Sequence, residues 1–378
     1  MTQINKKNEL KKATGFEAAP LVQDCADCAA GGAVGASGAA GAGAAGAGAG
    51  SSASGATGGT GAVGGAGAAG AGAASAGAGS SVASAGAGSS VASASAGGAV
   101  SASAGGAAGA ARSQATEKES ALADIRSKSG FICDMDGVVY HGNKALPGAA
   151  ELVAWFKKEK KHYLFLTNAS DKTPLELHMK LHRMGIDVEP EHFYTSALAT
   201  AHFLSSQRPG CSAYIIGDHG LHNALYDAGI AFNDVDPDYV VVGETDDFRF
   251  EHIKIAMNLV NKGAGLIATN SDITGPIEGG FKPACKALVA SIEVATGVNA
   301  YFVGKPNPLM MRTGLEILGV HSADSVMIGD RMDTDMIGGI EAGMETALVL
   351  SGVSTLKTVD EYPFNPRVVL SGVGEIPC

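Results

Sequence analysis

Between Asp27 and Arg112 the sequence has no charged residue, and across residues 29–112 it has no Leu, Ile or Phe. These 84 residues comprise 27 Gly, 35 Ala, 14 Ser, five Val, two Thr and Arg112. With almost no large side chain to bury, the tract cannot offset an ordering cost of about 1–2 kcal/mol per residue. A disordered low-complexity region over residues 1–117 is therefore expected. The tract is too weakly apolar to enter a bilayer, and no apolar stretch directly follows Lys6, Lys7, Lys11 and Lys12, so neither a membrane span nor a secretory signal is expected. Cysteine is sparse, at positions 25, 28, 133, 211, 285 and 378. Only Cys25 and Cys28 are close neighbours, which argues against a disulfide framework and for a reduced, cytoplasmic setting. Basic charge is also in deficit: residues 113–378 hold 22 Lys and Arg against 34 Asp and Glu. Such a surface repels a phosphate backbone, so no nucleic-acid polymer is expected as a partner.

What is present begins near residue 130. Short apolar runs ending in polar residues alternate with amphipathic segments. Strands are expected at Phe131–Cys133, His162–Leu166, Ala213–Ile216, Tyr239–Val242, Leu266–Thr269, Ala300–Val303, Ser325–Ile328 and Thr346–Leu350, with helices between them. This alternation implies right-handed βαβ units and a mostly parallel α/β sheet. Ligands bind such sheets at the carboxyl ends of the strands. Asp134 and Asp136, Thr167, and Asp330 stand there, and Lys305 follows a further strand.

Together these residues can handle phosphate. A carboxylate can attack phosphorus. Acids from separate strands can hold Mg²⁺, a hard cation that prefers oxygen. A hydroxyl and an ammonium can bind phosphoryl oxygens. Other polar residues have plainer readings. Asp333 reads as a residue at a helix start, the histidines as surface or capping residues, and Met310, Met311 and Met327 as core. The Cys25-x-x-Cys28 pair reads weakly as a metal or redox site. The GAGAG pattern before Ser51 reads as a linker, with silk-like assembly as the competing reading.

In order and spacing, Asp134-Met135-Asp136-Gly137, Leu166-Thr167-Asn168, Gly304-Lys305-Pro306 and Ile328-Gly329-Asp330 with Asp335 resemble the four motifs of the haloacid dehalogenase superfamily. Within it the chain is similar to the subgroup with a large inserted α/β cap, which includes NagD-type nucleotide phosphatases and p-nitrophenyl phosphatases. Val242-Gly243-Glu244-Thr245, Ala268-Thr269-Asn270 and Lys282-Pro283-Ala284-Cys285 look NagD-like. The resemblance implies a Rossmann-like parallel core at 118–208 and 300–378 with a cap at 209–299. It implies Asp134 as nucleophile and metal ligand, and Asp136 as acid and base whose backbone carbonyl also binds Mg²⁺. Thr167 and Asn168 would bind the phosphoryl group or orient the nucleophile. Lys305 would offset negative charge, Asp330 would bind Mg²⁺, and Asp335 would support the site from behind or serve as an occasional ligand. The expected substrate is a small phosphorylated metabolite, foremost a nucleoside monophosphate such as UMP or GMP. The alternative is a broad sugar-phosphate or phosphoglycolate phosphatase, because Ala169-Ser170-Asp171-Lys172 and Arg331-Met332-Asp333 depart from the NagD pattern. A reading of another class makes the Gly/Ala/Ser tract a tether or assembly element. A homo-oligomer stays open.

Overall fold

The computed structural model describes residues 104–277 and 279–377. Most of the Gly/Ala/Ser tract and the Cys25/Cys28 pair lie outside the described residues. The chain runs through helix Ala104–Ser127, β1 (Gly130–Cys133), a hairpin of β2 (Tyr140–His141) and β3 (Lys144–Ala145), helix Ala149–Lys158, β4 (His162–Thr167), helix Pro174–Arg183, β5 (Phe193–Thr195) and helix Ser196–Gln207. Next come β6 (Ser212–Ile216), helix His219–Asp227, β7 (Ala231–Phe232), β8 (Tyr239–Val242), helix Phe250–Asn261 and β9 (Gly265–Ala268). A hairpin of β10 (Thr274–Ile277) and β11 (Gly280–Pro283), helix Cys285–Thr296 and β12 (Tyr301–Phe302) follow. Helix Pro308–Leu318, β13 (Ser325–Gly329), helix Ile337–Glu341, β14 (Glu345–Val349), helix Leu356–Asp360 and β15 (Val368–Leu370) complete it.

Two parallel sheets result, in an α/β fold of the kind expected. The first has the order β15-β14-β13-β1-β4-β5, the second β12-β9-β8-β6-β7. β12 thus pairs in the second sheet, beside β9. Both faces of the first sheet are covered, so β1 and β13 are buried at every position rather than at alternate ones. Phe131, Tyr163 and Phe165 pack with Trp155 and Phe156 of helix Ala149–Lys158. On the opposite face Ile132, Leu164, Leu166 and Met327 join Met310 and Met311 of helix Pro308–Leu318. All three methionines are fully buried. The same cluster continues through Leu204 of helix Ser196–Gln207 to Val241 and Ile267 of the second sheet.

The first helix begins earlier than expected. Order was expected from residue 118, whereas a helix begins at Ala104. Alanine is the best helix former and offsets the glycines of this stretch. Ala121, Leu122 and Ile125 anchor the helix in the core. Arg126 donates from Nε to the Ile376 carbonyl at 2.8 Å and from Nη2 to the Glu375 carbonyl at 3.1 Å. No helix among the described residues is long and apolar enough to cross a membrane.

Candidate active site

The sheet order dictates where the functional side chains meet. β1 lies between β13 and β4, with Cys133 opposite Ile328 on one side and Phe165 on the other. Each strand ends within a residue or two of that register. Asp134, Thr167 and Asp330 therefore emerge side by side at one sheet edge. The Asp134 amide donates to the Ile328 carbonyl at 2.8 Å, which fixes the first turn beyond the strand.

Lys305 arrives from the loop after β12. Its Nζ donates to Asp134 Oδ1 at 2.5 Å and to Asp335 Oδ1 at 2.8 Å. All three side chains are buried. Burial opposes the charge on Lys305, but the carboxylates of Asp134 and Asp335 outweigh it and hold the ammonium above its ordinary value. For Asp134 the balance runs the other way: burial pushes its carboxyl up, and Lys305 offsets only part of that. Asp335 is pushed up to about 6 by burial despite Lys305. Its second oxygen accepts from the backbone amides of Asp330 at 3.2 Å and Arg331 at 3.1 Å. A π-helical turn at Met332–Met336 folds Asp335 back to make these bonds. Both its oxygens are engaged by protein donors, so Asp335 shapes the loop and holds Lys305.

Asp330 is different. Oδ2 accepts from the Val353 amide at 2.7 Å, while the buried Oδ1 has no hydrogen-bond partner among the described residues. Burial, then Asp134 and Asp335, push this carboxyl up to about 8. Two glycines make room for it. A Cβ on Gly352 would stand 2.0 Å from Asp330 Oδ2, and one on Gly137, at φ 80°, would stand 2.6 Å from it. Ligand oxygens of Asp134, Asp330 and Asp335 lie within 4.8 Å of one another. Three buried carboxylates facing a single ammonium, one of them with an orphaned oxygen, suit a divalent cation that prefers oxygen donors.

Asp136 stands apart from that cluster. Its side chain is 43% exposed and meets His141 Nδ1 at 3.3 Å, on the hairpin that follows. Thr167 is buried, and its hydroxyl accepts from the Ala169 amide at 3.1 Å. Asn168 Oδ1 accepts from the Lys305 amide at 2.8 Å. Its Nδ2 donates to the Lys305 carbonyl at 3.2 Å and to Asp272 Oδ2 at 3.0 Å. Both amide hydrogens are thus taken by protein acceptors. Asp134, Asp136, Thr167, Lys305 and Asp330 all line one cavity of about 1080 Å³. The loops after β8 and β9 contribute Glu244 and Asp272 to its walls, and the β10–β11 hairpin contributes Ile277 and Lys282. Asp333 binds Arg331, a residue of the cavity wall, through two bonds of 3.0 and 2.8 Å.

Three residues at or beside the cavity drew no role from the sequence. Ser170 is fully buried where the two sheets meet, and its hydroxyl accepts from the Glu244 amide at 2.9 Å. Glu244 is pushed up to about 7 by burial, then by Asp171 and Asp272. Asp272 reads in sequence as an ordinary loop residue after Asn270. The available signal was its position just beyond β9, at a strand end like the others.

The comparisons agree with this geometry. The family model for haloacid dehalogenase-like hydrolases matches residues 131–231, and a second, HAD-hydrolase-like, matches 302–376. The chain is 44% identical over 246 residues to a dihydroxyacetone phosphatase of Corynebacterium glutamicum, covering 65% of this chain and 90% of that one. It is 43% identical over 245 residues to the ribonucleotide monophosphatase NagD of Escherichia coli K12, covering 65% and 96%. The solved structure of NagD from E. coli K-12 superposes with a TM-score of 0.63, at 42% identity, over 66% of this chain and 98% of that one. With the four strand-end motifs converging on one carboxylate and lysine cluster, the chain belongs to the haloacid dehalogenase superfamily, as a phosphatase of its NagD-like subgroup.

Proposed function

We propose that this chain is a Mg²⁺-dependent phosphomonoester hydrolase that works through a phospho-aspartate on Asp134, with nucleoside monophosphates such as UMP or GMP as its leading substrates. The observation that carries the mechanism is the buried arrangement in which Lys305 bridges Asp134 and Asp335 beside the orphaned oxygen of Asp330. Asp134 attacks phosphorus, and the bond from phosphorus to the leaving oxygen breaks. Asp136 gives that oxygen its proton. It then takes a proton from the water that attacks the phospho-aspartate, releasing inorganic phosphate and restoring Asp134. Its partly exposed carboxyl, on the cavity wall, suits a group that must reach both leaving group and water. The Thr167 hydroxyl binds a phosphoryl oxygen. Asn168 acts by holding Lys305, which balances the charge gathered on nucleophile and phosphate. A bound Mg²⁺, held by Asp134, Asp330 and the backbone carbonyl of Asp136, would supply Lewis-acid stabilisation of the transferring group.

Residues 209–299 serve in this reading as the cap, with the second sheet and the β10–β11 hairpin over the leaving group. A second reading, a broad sugar-phosphate or phosphoglycolate phosphatase, is supported by the similar identity to a relative named for dihydroxyacetone phosphate. The working compartment is the cytoplasm. The test is a panel of UMP, GMP, dihydroxyacetone phosphate, phosphoglycolate and sugar phosphates, ranked by kcat/KM with Mg²⁺ present. Nucleotides should rank first. Equal rates throughout would favour the broad reading, and no metal-dependent hydrolysis of any would defeat both.

A further inference from the structure

Asp272 is carried by the second sheet, in the loop after β9, yet its carboxylate reaches the catalytic lysine's support. Oδ2 accepts from Asn168 Nδ2 at 3.0 Å. Oδ1 is buried without a hydrogen bond among the described residues and faces Arg331 Nη2 at 3.9 Å. The loop is held locally, since the Asp272 amide donates to Asn270 Oδ1 at 3.0 Å and its carbonyl accepts from the Lys286 amide at 3.0 Å.

An asparagine amide has two ends of similar shape and opposite polarity. Asn168 must present oxygen to the Lys305 amide and nitrogen to the Lys305 carbonyl. A carboxylate only accepts, so Asp272 demands the nitrogen end. Its single contact therefore selects the one orientation that also satisfies both backbone groups of Lys305. The Lys305 ammonium in turn must meet Asp134 at 2.5 Å and Asp335 at 2.8 Å, a geometry with little slack. A misplacement of about 1 Å at a reacting centre costs up to ~10²-fold in rate.

We propose that Asp272 is a positioning residue: from the second sheet it fixes the Asn168 amide, and through it Lys305, so that the catalytic ammonium is in register only while the Asp272 loop is seated. The inference rests on the phosphatase reading above and adds a residue to it.

A double-mutant cycle tests it. Asp272→Ala, Asn168→Ala and the double variant are assayed on p-nitrophenyl phosphate and on UMP at saturating Mg²⁺, with thermal unfolding recorded for each. Asp272→Ala should lower kcat by about tenfold or more, with KM changed less than about threefold. The factor should be the same on both substrates, because Asp272 acts on the enzyme and not on the leaving group. The double variant should be no slower than Asn168→Ala alone, since coupled residues are not additive. Asp272→Asn, which retains the shape and one acceptor, should recover part of kcat. It also carries the cycle if the alanine variant does not fold. Losses that multiply in the double variant, a change confined to KM, or a different factor on each substrate would overturn the proposal. A parent enzyme inactive on p-nitrophenyl phosphate would instead strike at the phosphatase reading itself.

Discussion

Asn168 holds Lys305 by both of its backbone groups, accepting from its amide at 2.8 Å and donating to its carbonyl at 3.2 Å. A residue expected to bind the phosphoryl group or orient the nucleophile thus holds the lysine that meets Asp134. Asn168→Ala should leave two buried backbone groups unpaired, at a cost of about 1–3 kcal/mol. The expected result is a lower Tm together with a kcat reduced by about tenfold or more at little-changed KM. Unfolding and steady-state kinetics on the same preparation check it. A variant with full kcat would remove Asn168 from the catalytic arrangement.

Lys305→Met should be far more damaging. It keeps most of the aliphatic stem and removes the ammonium that faces the buried carboxylates. Breaking a buried ion pair from one side costs about 3–5 kcal/mol. Both activity and Tm should fall, and added Mg²⁺ should restore Tm in part by neutralising the same carboxylates.

The raised carboxyl of Asp330 makes cation binding depend on pH. Without a cation this group holds its proton up to about pH 8, so a divalent ion must displace that proton at lower pH. The Tm increase on adding Mg²⁺ should therefore grow from pH 6 to pH 8. A ligand at 100 times its Kd stabilises by about 2.7 kcal/mol, which is readily measured. Asp330→Asn should abolish most of the increase. Gly352→Ala should weaken it as well, because the added Cβ would stand against Asp330 Oδ2.

Glu244 gives a separate stability signature. Its carboxyl titrates near 7 in the folded chain against 4.5 when unperturbed. Over that interval the folded state binds the proton and the unfolded state releases it. The contribution of this group is therefore full below about pH 4.5 and is lost as pH rises through 7, by up to about 3 kcal/mol. Glu244→Gln can still accept from Asn270, so it should flatten this decline and raise Tm at pH 8 relative to the parent. An unchanged slope between pH 5 and 8 would show that Glu244 is not buried in its acid form.

Much of this arrangement was legible in sequence. Apolar runs such as Phe131–Cys133 and Ser325–Ile328 end abruptly in Asp134 and Asp330, and the rule that parallel sheets bind at strand ends did the rest. The less visible parts have physical reasons. The helix at Ala104–Ser127 opens with Ala and Gly, whose sequence carries no apolar period, while Ala121, Leu122 and Ile125 further along pack in the core. The two-residue strands Tyr140–His141 and Ala231–Phe232 are too short to carry a period. The contact of Asp272 with Asn168 spans 104 positions and joins loops from different sheets, so no local spacing encodes it.

The most direct measurement is to trap the covalent intermediate. Asp136→Asn, which cannot activate water, is mixed with ³²P-labelled p-nitrophenyl phosphate, whose leaving group departs without a proton, and Mg²⁺, then quenched in acid and digested for peptide mapping. The label should sit on the peptide containing Asp134 and vanish in the Asp134→Asn variant. Turnover of the parent enzyme with no covalent label under these conditions, or a label on any other residue, would contradict Asp134 as the nucleophile.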